Sequence, residues 1–174
     1  MKNLEDYVES IIDFPKEGII FRDVTSVLSD KEGLKLAIET MQEKLSDIDF
    51  DVIVAPESRG FIFGMPIAYN LNKSFVPVRK KGKLPRETIS QDYNLEYGTA
   101  TLQMHKDSIK SGDRIVIIDD LIATGGTIEA IIKMVNSLGG TVVRVCALIE
   151  LIDLDARKLL KDIDIKSCII YEGE

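Results

Sequence analysis

The amino-acid sequence predicts an α/β fold with a mostly parallel central sheet flanked by helices. Short, continuous apolar runs typical of buried strands alternate with longer stretches of helical periodicity. A chain of 174 residues, 45% of them hydrophobic, is long enough to bury one sizeable core. We find no repeat, linker or low-complexity segment, so a single domain over residues 1–174 is expected.

In the first half of the chain, two helices and two strands are predicted. "KEGLKLAIETMQEKLSD" follows a helical period, and Asp30 is placed to cap it. "DVIVAPES" is typical of a strand buried on both faces, and "SFVPVRK" of another strand. "GFIFGMPIAYNL" between them favours a helix, although Gly64 and Pro66 weaken that prediction. The predicted stripe of the first helix is Leu34, Ile38, Met41 and Leu45.

The second half predicts four further strands and two helices. "YGTATLQMH" alternates with period two, which indicates a half-buried antiparallel strand. "RIVIID" is the most apolar strand, followed by a loop and a helix that ends at Gly139 and Gly140. "TVVRVCALIEL", "DARKLLKD" and "KSCIIYE" are expected to form a strand, a short helix and a last strand. Apolar residues of the long helix are Ile128, Ile131, Ile132, Val135 and Leu138.

Composition excludes several classes of function. A net charge of −7 disfavours binding to nucleic acid or to a membrane surface, and no apolar run is long enough to span a bilayer. His105, the only histidine, lies in the outward register of its strand, so neither a zinc site nor a Ser-His-Asp triad is expected. Cys146 and Cys168 are predicted to be small buried hydrophobes. The acidic, mixed N-terminus is not a signal peptide, and a cytoplasmic location is expected.

Three polar loops follow predicted strands: "PESRGF", "RKKGKLPRE" and "DDLIATGGT". In open parallel sheets, ligands bind beyond the carboxyl ends of the strands, so these loops should meet at one binding edge. In the third loop, two glycines and a helix start can present backbone N–H groups to a phosphate monoester. Asp119 and Asp120 can accept hydrogen bonds from the two vicinal hydroxyls of a ribose. The alternative is an acidic turn followed by a helix cap.

These residues resemble a known family. "VIIDDLIATGGT" resembles the phosphoribosyl-diphosphate binding motif of the type I phosphoribosyltransferases. Together with "DFPKEGIIFRDVTSVL", "PESRGFIFG", "VRKKGKLP" and "YNLEYG", it resembles the adenine-specific branch over nearly the whole chain. Two departures are Gln103 in "LQMHKDS", where relatives often have a carboxylate, and "APESRG", where bacterial relatives often have "GPEARG". The resemblance implies the type I fold, with residues 1–30 as a small N-terminal hood that carries part of the base pocket.

The resemblance also implies a reaction. Adenine and 5-phosphoribosyl 1-diphosphate would give AMP and diphosphate, with Mg²⁺ held mainly through the substrate and not by protein ligands. It further implies a homodimer. Two alternatives stay open: a transferase for another purine, such as xanthine or hypoxanthine, and a non-catalytic regulator that senses the diphosphate sugar.

Residue roles follow from the same resemblance. Asp119 and Asp120 would hold the ribose hydroxyls, and the Arg59 guanidinium would bind the diphosphate and assist catalysis. Glu96 would be the second catalytic residue, stabilising charge near the sugar or passing a proton to or from the base. The 5′-phosphate would be held by Ala123, Thr124, Gly125, Gly126 and Thr127.

Two further segments complete the implied site. Residues 79–86 carry five basic side chains, and among them Arg79, Lys80 and Lys83 would neutralise the departing diphosphate. By composition alone this segment is a solvated charged loop, and it lacks the aromatic residues that would favour nucleic-acid binding. In the hood, the purine would lie beside Phe21 and Arg22, while the Ile20 backbone reads the adenine edge. By composition alone, Ile20 and Phe21 would be core residues.

Overall fold

A computed structural model describes residues 2–94 and 98–173. Within these ranges the chain forms nine strands. They are β1 (Glu9–Ile12), β2 (Ile20–Asp23), β3 (Val52–Pro56), β4 (Ser74–Lys80), β5 (Thr88–Asn94), β6 (Thr99–His105), β7 (Arg114–Ile122), β8 (Thr141–Leu151) and β9 (Ile165–Tyr171). The helices are α1 (Val24–Ser29), α2 (Lys31–Glu43), α3 (Arg59–Asn70), α4 (Gly126–Ser137) and α5 (Ala156–Leu159).

Seven strands form one central sheet in the order β5-β6-β4-β3-β7-β8-β9. The five strands from β4 to β9 in this order are parallel, and β6 and β5 extend the sheet as an antiparallel arm. The predicted fold class is therefore confirmed. β1 and β2 pair separately as an antiparallel hairpin, which forms part of the hood. This hairpin, α1 and β5 were not predicted, because their residues carry no clear apolar period.

Helices cover both faces of the sheet. One core cluster lies between the sheet and α4, with Ile117, Ile128, Ile131 and Val145 fully or almost fully buried. The other lies beneath α1, α2 and α3 and includes Met41, whose side chain is fully buried. A strand with apolar contacts on both faces cannot alternate in polarity, which explains the continuous apolar runs of β3 and β7. Among the described residues, no helix is both long and apolar enough to cross a membrane.

Two sequence predictions need correction. The structure continues β7 through Asp119 and Asp120 to Ile122, whereas the prediction ended the strand at the aspartates. Pairing with β8 continues past the aspartates, so their backbone stays extended. His105 was predicted to be solvated, but it is buried, and its Nε2 accepts a long hydrogen bond of 3.4 Å from the Arg86 N–H. Both cysteines were predicted to be buried; this is confirmed for Cys146, whereas Cys168 is only partly buried, and both are free thiols.

The predicted cap of α2 is confirmed and can be tested. Asp30 Oδ1 accepts hydrogen bonds from the N–H groups of Glu32 at 2.8 Å and Gly33 at 3.2 Å. Asp30→Ala should lower the free energy of unfolding by about 1 kcal/mol, because two N–H groups of the first turn lose their acceptor. Asp30→Asn is the control and should lose much less. Equal urea midpoints for the Ala variant and the wild type would contradict a stabilising cap.

Candidate active site

The carboxyl ends of β3, β4 and β7 meet at one edge of the sheet, which is the binding edge predicted from the sequence. A cavity of about 200 Å³ opens there. Arg59 comes from the start of α3, Lys80 from the end of β4, and Thr127 from the first turn of α4. Asp119 and Asp120 line the cavity from β7. The structure thus brings side chains from all three predicted loops together.

The acidic pair is buried. Asp119 is 8% exposed and Asp120 is 3% exposed. The Asp120 N–H donates a 2.9 Å hydrogen bond to Asp119 Oδ1, which fixes one carboxylate oxygen of the pair. Burial, together with the neighbouring Asp120 carboxylate, raises the pKa of Asp119 well above its usual range. A buried carboxyl group whose pKa is strongly shifted by a neighbouring charge is typical of a functional site.

Arg59 offsets part of this charge. Its Nε lies 2.8 Å from Asp120 Oδ2, and the guanidinium is about half exposed, with 48% of the side chain accessible. The contact is an ion pair that is not aligned as a hydrogen bond. Asp120 Oδ2 consequently has no hydrogen-bond partner among the described residues. A buried carboxylate oxygen without a donor is an acceptor available to a ligand hydroxyl or to a ligand-bound cation.

Close packing at Gly60 holds α3 against β7. A Cβ on Gly60 would lie 2.8 Å from Pro56 Cδ, 3.1 Å from the Ile118 carbonyl oxygen and 3.2 Å from Asp119 Oδ1. Any side chain here would push the helix start, and with it Arg59, away from the aspartates. Sequence analysis missed this positioning role. The signal was the glycine directly after Arg59 in "SRG".

The glycine-rich segment forms a small cup beside the acidic pair. A cavity of about 100 Å³ is lined by Leu121 and Ile122, the five residues Ala123–Thr127, Ile128, and Asp119. Gly125 has φ +86°, a conformation that side chains rarely adopt, and it caps α4 without a side-chain hydrogen bond. The first N–H groups of α4 are therefore available to an anion. This cup and the 200 Å³ cavity share Asp119, Leu121 and Thr127 in their linings, so they lie next to each other.

Of the predicted basic residues, the structure brings Lys80 to the cavity. Arg79 instead donates a 2.6 Å hydrogen bond to Glu57 Oε2, an acidic residue that itself lines the cavity. Lys83 is exposed and is not among the lining residues. Alternation along β4 explains the difference between Arg79 and Lys80, since neighbouring residues of a strand point to opposite faces, while Lys83 lies beyond the end of the strand.

A larger cavity of about 720 Å³ opens next to the cup, between the hood and the end of β8. Ile20 lines it as predicted. Phe21 instead packs edge to face against Phe14 with ring centroids 5.2 Å apart, and the Arg22 guanidinium lies 3.8 Å from the Tyr171 ring centroid. The full lining is Gly18, Ile19, Ile20, Tyr93, Asn94, Thr124, Gly126, Glu129, Leu151, Leu154 and Leu159.

Sequence analysis missed most of this second cavity. Tyr93 and the three leucines read as ordinary apolar residues, and no local pattern distinguishes them from the core. Glu96, the predicted acid–base residue, lies outside the described residues. It follows Asn94 by two positions, and Asn94 lines the large cavity.

The side chains that could act as metal ligands indicate how the predicted Mg²⁺ would be held. In the described ranges, no group of three or more His, Cys, Asp or Glu side chains could hold a metal by itself. Asp119 and Asp120 offer two adjacent carboxylates, and Asp120 Oδ2, which is ion-paired with Arg59, accepts no hydrogen bond among the described residues. These residues fit a hard cation such as Mg²⁺ that keeps most of its ligands from substrate and water.

Comparison with known proteins agrees with this geometry. Residues 23–173 match the model of the phosphoribosyl transferase domain. The chain is 68% identical to adenine phosphoribosyltransferase of Lachnoclostridium phytofermentans over 100% of both chains. It superposes on the crystal structure of adenine phosphoribosyltransferase from Thermoanaerobacter pseudethanolicus with a TM-score of 0.93 and 52% identity, covering 97% of this chain and 98% of that one.

A more distant relative carries ligands. Adenine phosphoribosyltransferase from Saccharomyces cerevisiae, solved with an imino-altritol bisphosphate and adenine, is 33% identical, with a TM-score of 0.88. The superposition covers 95% of this chain and 96% of the yeast chain. Sequence, fold and site geometry lead to one conclusion: this chain belongs to the phosphoribosyltransferase family, in its adenine phosphoribosyltransferase branch.

Proposed function

We propose that this chain transfers the phosphoribosyl group of 5-phosphoribosyl 1-diphosphate to adenine, giving AMP and diphosphate in purine salvage. One observation carries the proposal: the glycine-rich cup lies next to the cavity lined by the buried acidic pair, and the two share Asp119, Leu121 and Thr127. A phosphorylated ribose needs an anion site at one end and hydroxyl acceptors at the other. The names of the relatives, and the adenine in the yeast structure, support adenine as the acceptor.

Each part of the site has a proposed task. Ala123–Thr127 bind the 5′-phosphate, and Asp119 and Asp120 accept hydrogen bonds from the ribose hydroxyls. Each charge-assisted hydrogen bond of this kind contributes about 1.5–3 kcal/mol. Arg59 and Lys80 line the same cavity and bind the diphosphate. Ile20 contributes the edge of the base pocket, where backbone groups distinguish the 6-amino group of adenine from an oxo group.

Catalysis would depend on positioning and electrostatics. As the bond from C1′ to diphosphate breaks, positive charge develops on the sugar and negative charge on the leaving group. Fixed charges on Arg59 and Lys80 stabilise the departing diphosphate, and the buried carboxylates lie on the sugar side. Glu96 manages the proton of the purine. Mg²⁺, when bound through the diphosphate and supported by Asp119 and Asp120, supplies further neutralisation of the leaving group.

The homodimer belongs to the proposal too. Ile62, Met65 and Tyr69 are 39%, 49% and 84% exposed on α3. Their spacing places them on one helix face, close to Arg59 in sequence. A second copy of the chain would cover this apolar face and join the two sites near the basic segment. A monomeric mass in sedimentation equilibrium at micromolar concentration would contradict the dimer.

We also propose that residues 1–174 fold as one domain and act in the cytoplasm. Leu4 and Val27 pack in the same core cluster as Ile53 of the central sheet, so the hood and the sheet should unfold together. The free thiols Cys146 and Cys168 suit a reducing compartment. Two separate calorimetric transitions would contradict the single domain, and a membrane-bound fraction would contradict the location.

A direct test of the function offers the protein each purine in turn. With the diphosphate sugar and Mg²⁺, adenine should give AMP, while hypoxanthine, xanthine and guanine should give little or no nucleotide. Comparable IMP or XMP formation would favour the alternative of a transferase for another purine. Tight binding of the diphosphate sugar without any nucleotide formation would instead favour the regulator.

Asp119→Asn should separate stability from function. The pKa of Asp119 is raised in the folded protein, so the folded state holds this proton more tightly than the unfolded state does. The protein therefore loses stability as the pH rises and Asp119 ionises. At pH 7 the Asn variant should therefore have a higher Tm than the wild type. That gain should vanish at pH values below the usual carboxyl pKa. AMP formation by the variant should fall sharply.

The control for this variant is the exposed Asp162, whose substitution by Asn should change neither Tm nor activity. Thermal unfolding from pH 3 to pH 8 gives the comparison. A Tm for Asp119→Asn that is lower than wild type at pH 7 would contradict the burial cost assigned to this carboxylate.

Lys80 and Lys81 provide a matched pair in the basic segment. Lys80 lines the cavity, whereas its exposed neighbour Lys81 does not. Lys80→Ala should raise KM for the diphosphate sugar on the order of tenfold, corresponding to about 1.4 kcal/mol of binding. Lys81→Ala should have little effect, and neither change should alter Tm, because exposed charges contribute little to folding. Steady-state kinetics showing equal effects of both changes would mean that the segment acts only through its overall charge.

Glu96→Gln tests the proposed acid–base residue. Loss of a positioned proton-transfer group should lower kcat by on the order of 10²–10⁴. Binding of the diphosphate sugar, measured by calorimetry, should change little. Glu87→Gln, an exposed glutamate that precedes β5, is the control. A kcat within about threefold of wild type would place Glu96 outside the chemistry.

A further inference from the structure

The proposed function assigns no task to Tyr93. It lines the 200 Å³ cavity together with Arg59, Asp119 and Asp120, and it also lines the 720 Å³ cavity together with Ile20. Among the described residues, no other side chain belongs to both linings. The first cavity is proposed to hold the sugar and diphosphate, and the second the base. Tyr93 therefore lies at the boundary across which the new glycosidic bond must form.

The ring of Tyr93 is held in place by its surroundings. Tyr93 is the sixth residue of β5, pairs with Ala100 of β6, and packs partly buried against the core cluster beneath α4. Its Cδ2 lies 3.9 Å from the point where a Cβ on Gly126 would stand, and the Asn94 carbonyl oxygen lies 3.5 Å from the same point. The end of β5 thus covers the start of the phosphate cup. Both distances are ordinary van der Waals contacts.

We infer that Tyr93 is a positioning residue that aligns the base with C1′ and keeps water away from that carbon. This inference rests on the proposed function. An aromatic ring gives a rigid, largely apolar wall, which suits a boundary between two occupied cavities. A sugar carbon that develops positive charge reacts with water unless water is excluded. The position of the ring, between the base site and the sugar site, would serve both tasks.

The competing reaction is hydrolysis. A water oxygen would form a bond to C1′ while the bond from C1′ to diphosphate breaks. The diphosphate leaves with the electron pair, the water proton passes to solvent, and the products are ribose 5-phosphate and diphosphate. No oxidant or further reactant is needed. The ratio of ribose 5-phosphate to AMP therefore reports how well the site excludes water.

The test compares three variants with wild type at saturating adenine, diphosphate sugar and Mg²⁺. Tyr93→Leu should lower AMP formation by on the order of 10–100-fold, because small misplacements of reacting groups are costly. It should also raise the ratio of ribose 5-phosphate to AMP severalfold. Tyr93→Phe keeps the ring and should stay near wild type in both. Ile89→Ala, on the same strand and packed against the same core but lining neither cavity, controls for a loosened β5.

The outcomes are distinct. A slower Tyr93→Leu variant with the wild-type product ratio would overturn the water-excluding role, and so would an equal change in Ile89→Ala. A Tyr93→Phe variant as impaired as Tyr93→Leu would overturn the assignment to the ring. If wild type forms no AMP, the proposed function fails and this inference fails with it. If wild type forms AMP while Tyr93→Leu matches it in rate and ratio, only the inference on Tyr93 fails.

Discussion

Two adjacent carboxylates buried at the end of a central strand are the constraint on which this site depends. Asp119 and Asp120 lie on β7, between β3 and β8, with little exposure to solvent. Burying like charges together is unfavourable, and neighbouring groups must offset it. The structure supplies part of the offset through Arg59, whose Nε is 2.8 Å from Asp120 Oδ2. Asp120 Oδ2 still accepts no hydrogen bond among the described residues, which suits it to a ligand that carries a donor.

Two glycines at helix starts allow the close backbone packing on which the rest of the site geometry depends. Gly60 lets α3 begin close to β7, and Gly125 adopts φ +86° at the start of α4. Both helices therefore direct their N-terminal ends toward the acidic edge, where backbone N–H groups and Arg59 provide positive potential beside the carboxylates. The antiparallel arm closes the arrangement, because the end of β5 lies over Gly126. The glycine-rich cup, the acidic pair and the 720 Å³ cavity are thus fixed relative to one another by the sheet.

The sequence was sufficient to predict the fold and the positions of the residues around the glycine-rich cup. Strand ends, glycine pairs and helix caps are local signals, and Asp30, Arg59 and Asp119 lie where those signals predicted. What the sequence did not indicate depends on distant contacts. His105 Nε2 accepts a hydrogen bond from the Arg86 N–H, and Arg79 of β4 pairs with Glu57, which follows β3. The packing of Phe21 on Phe14 and the shared wall at Tyr93 arise only once hood, arm and sheet have assembled, so no local pattern indicates them.

The central claim is that the buried acidic pair binds ribose hydroxyls, and calorimetry with two sugar phosphates tests it most directly. Ribose 5-phosphate and 2-deoxyribose 5-phosphate share the phosphate and differ by one hydroxyl. The wild-type protein should prefer the ribose form by about 1.5–3 kcal/mol, on the order of 10–150-fold in affinity, because a carboxylate acceptor loses its donor in the deoxy form. Asp120→Asn should reduce that preference. Equal affinities of the wild-type protein for the two sugars would contradict the account.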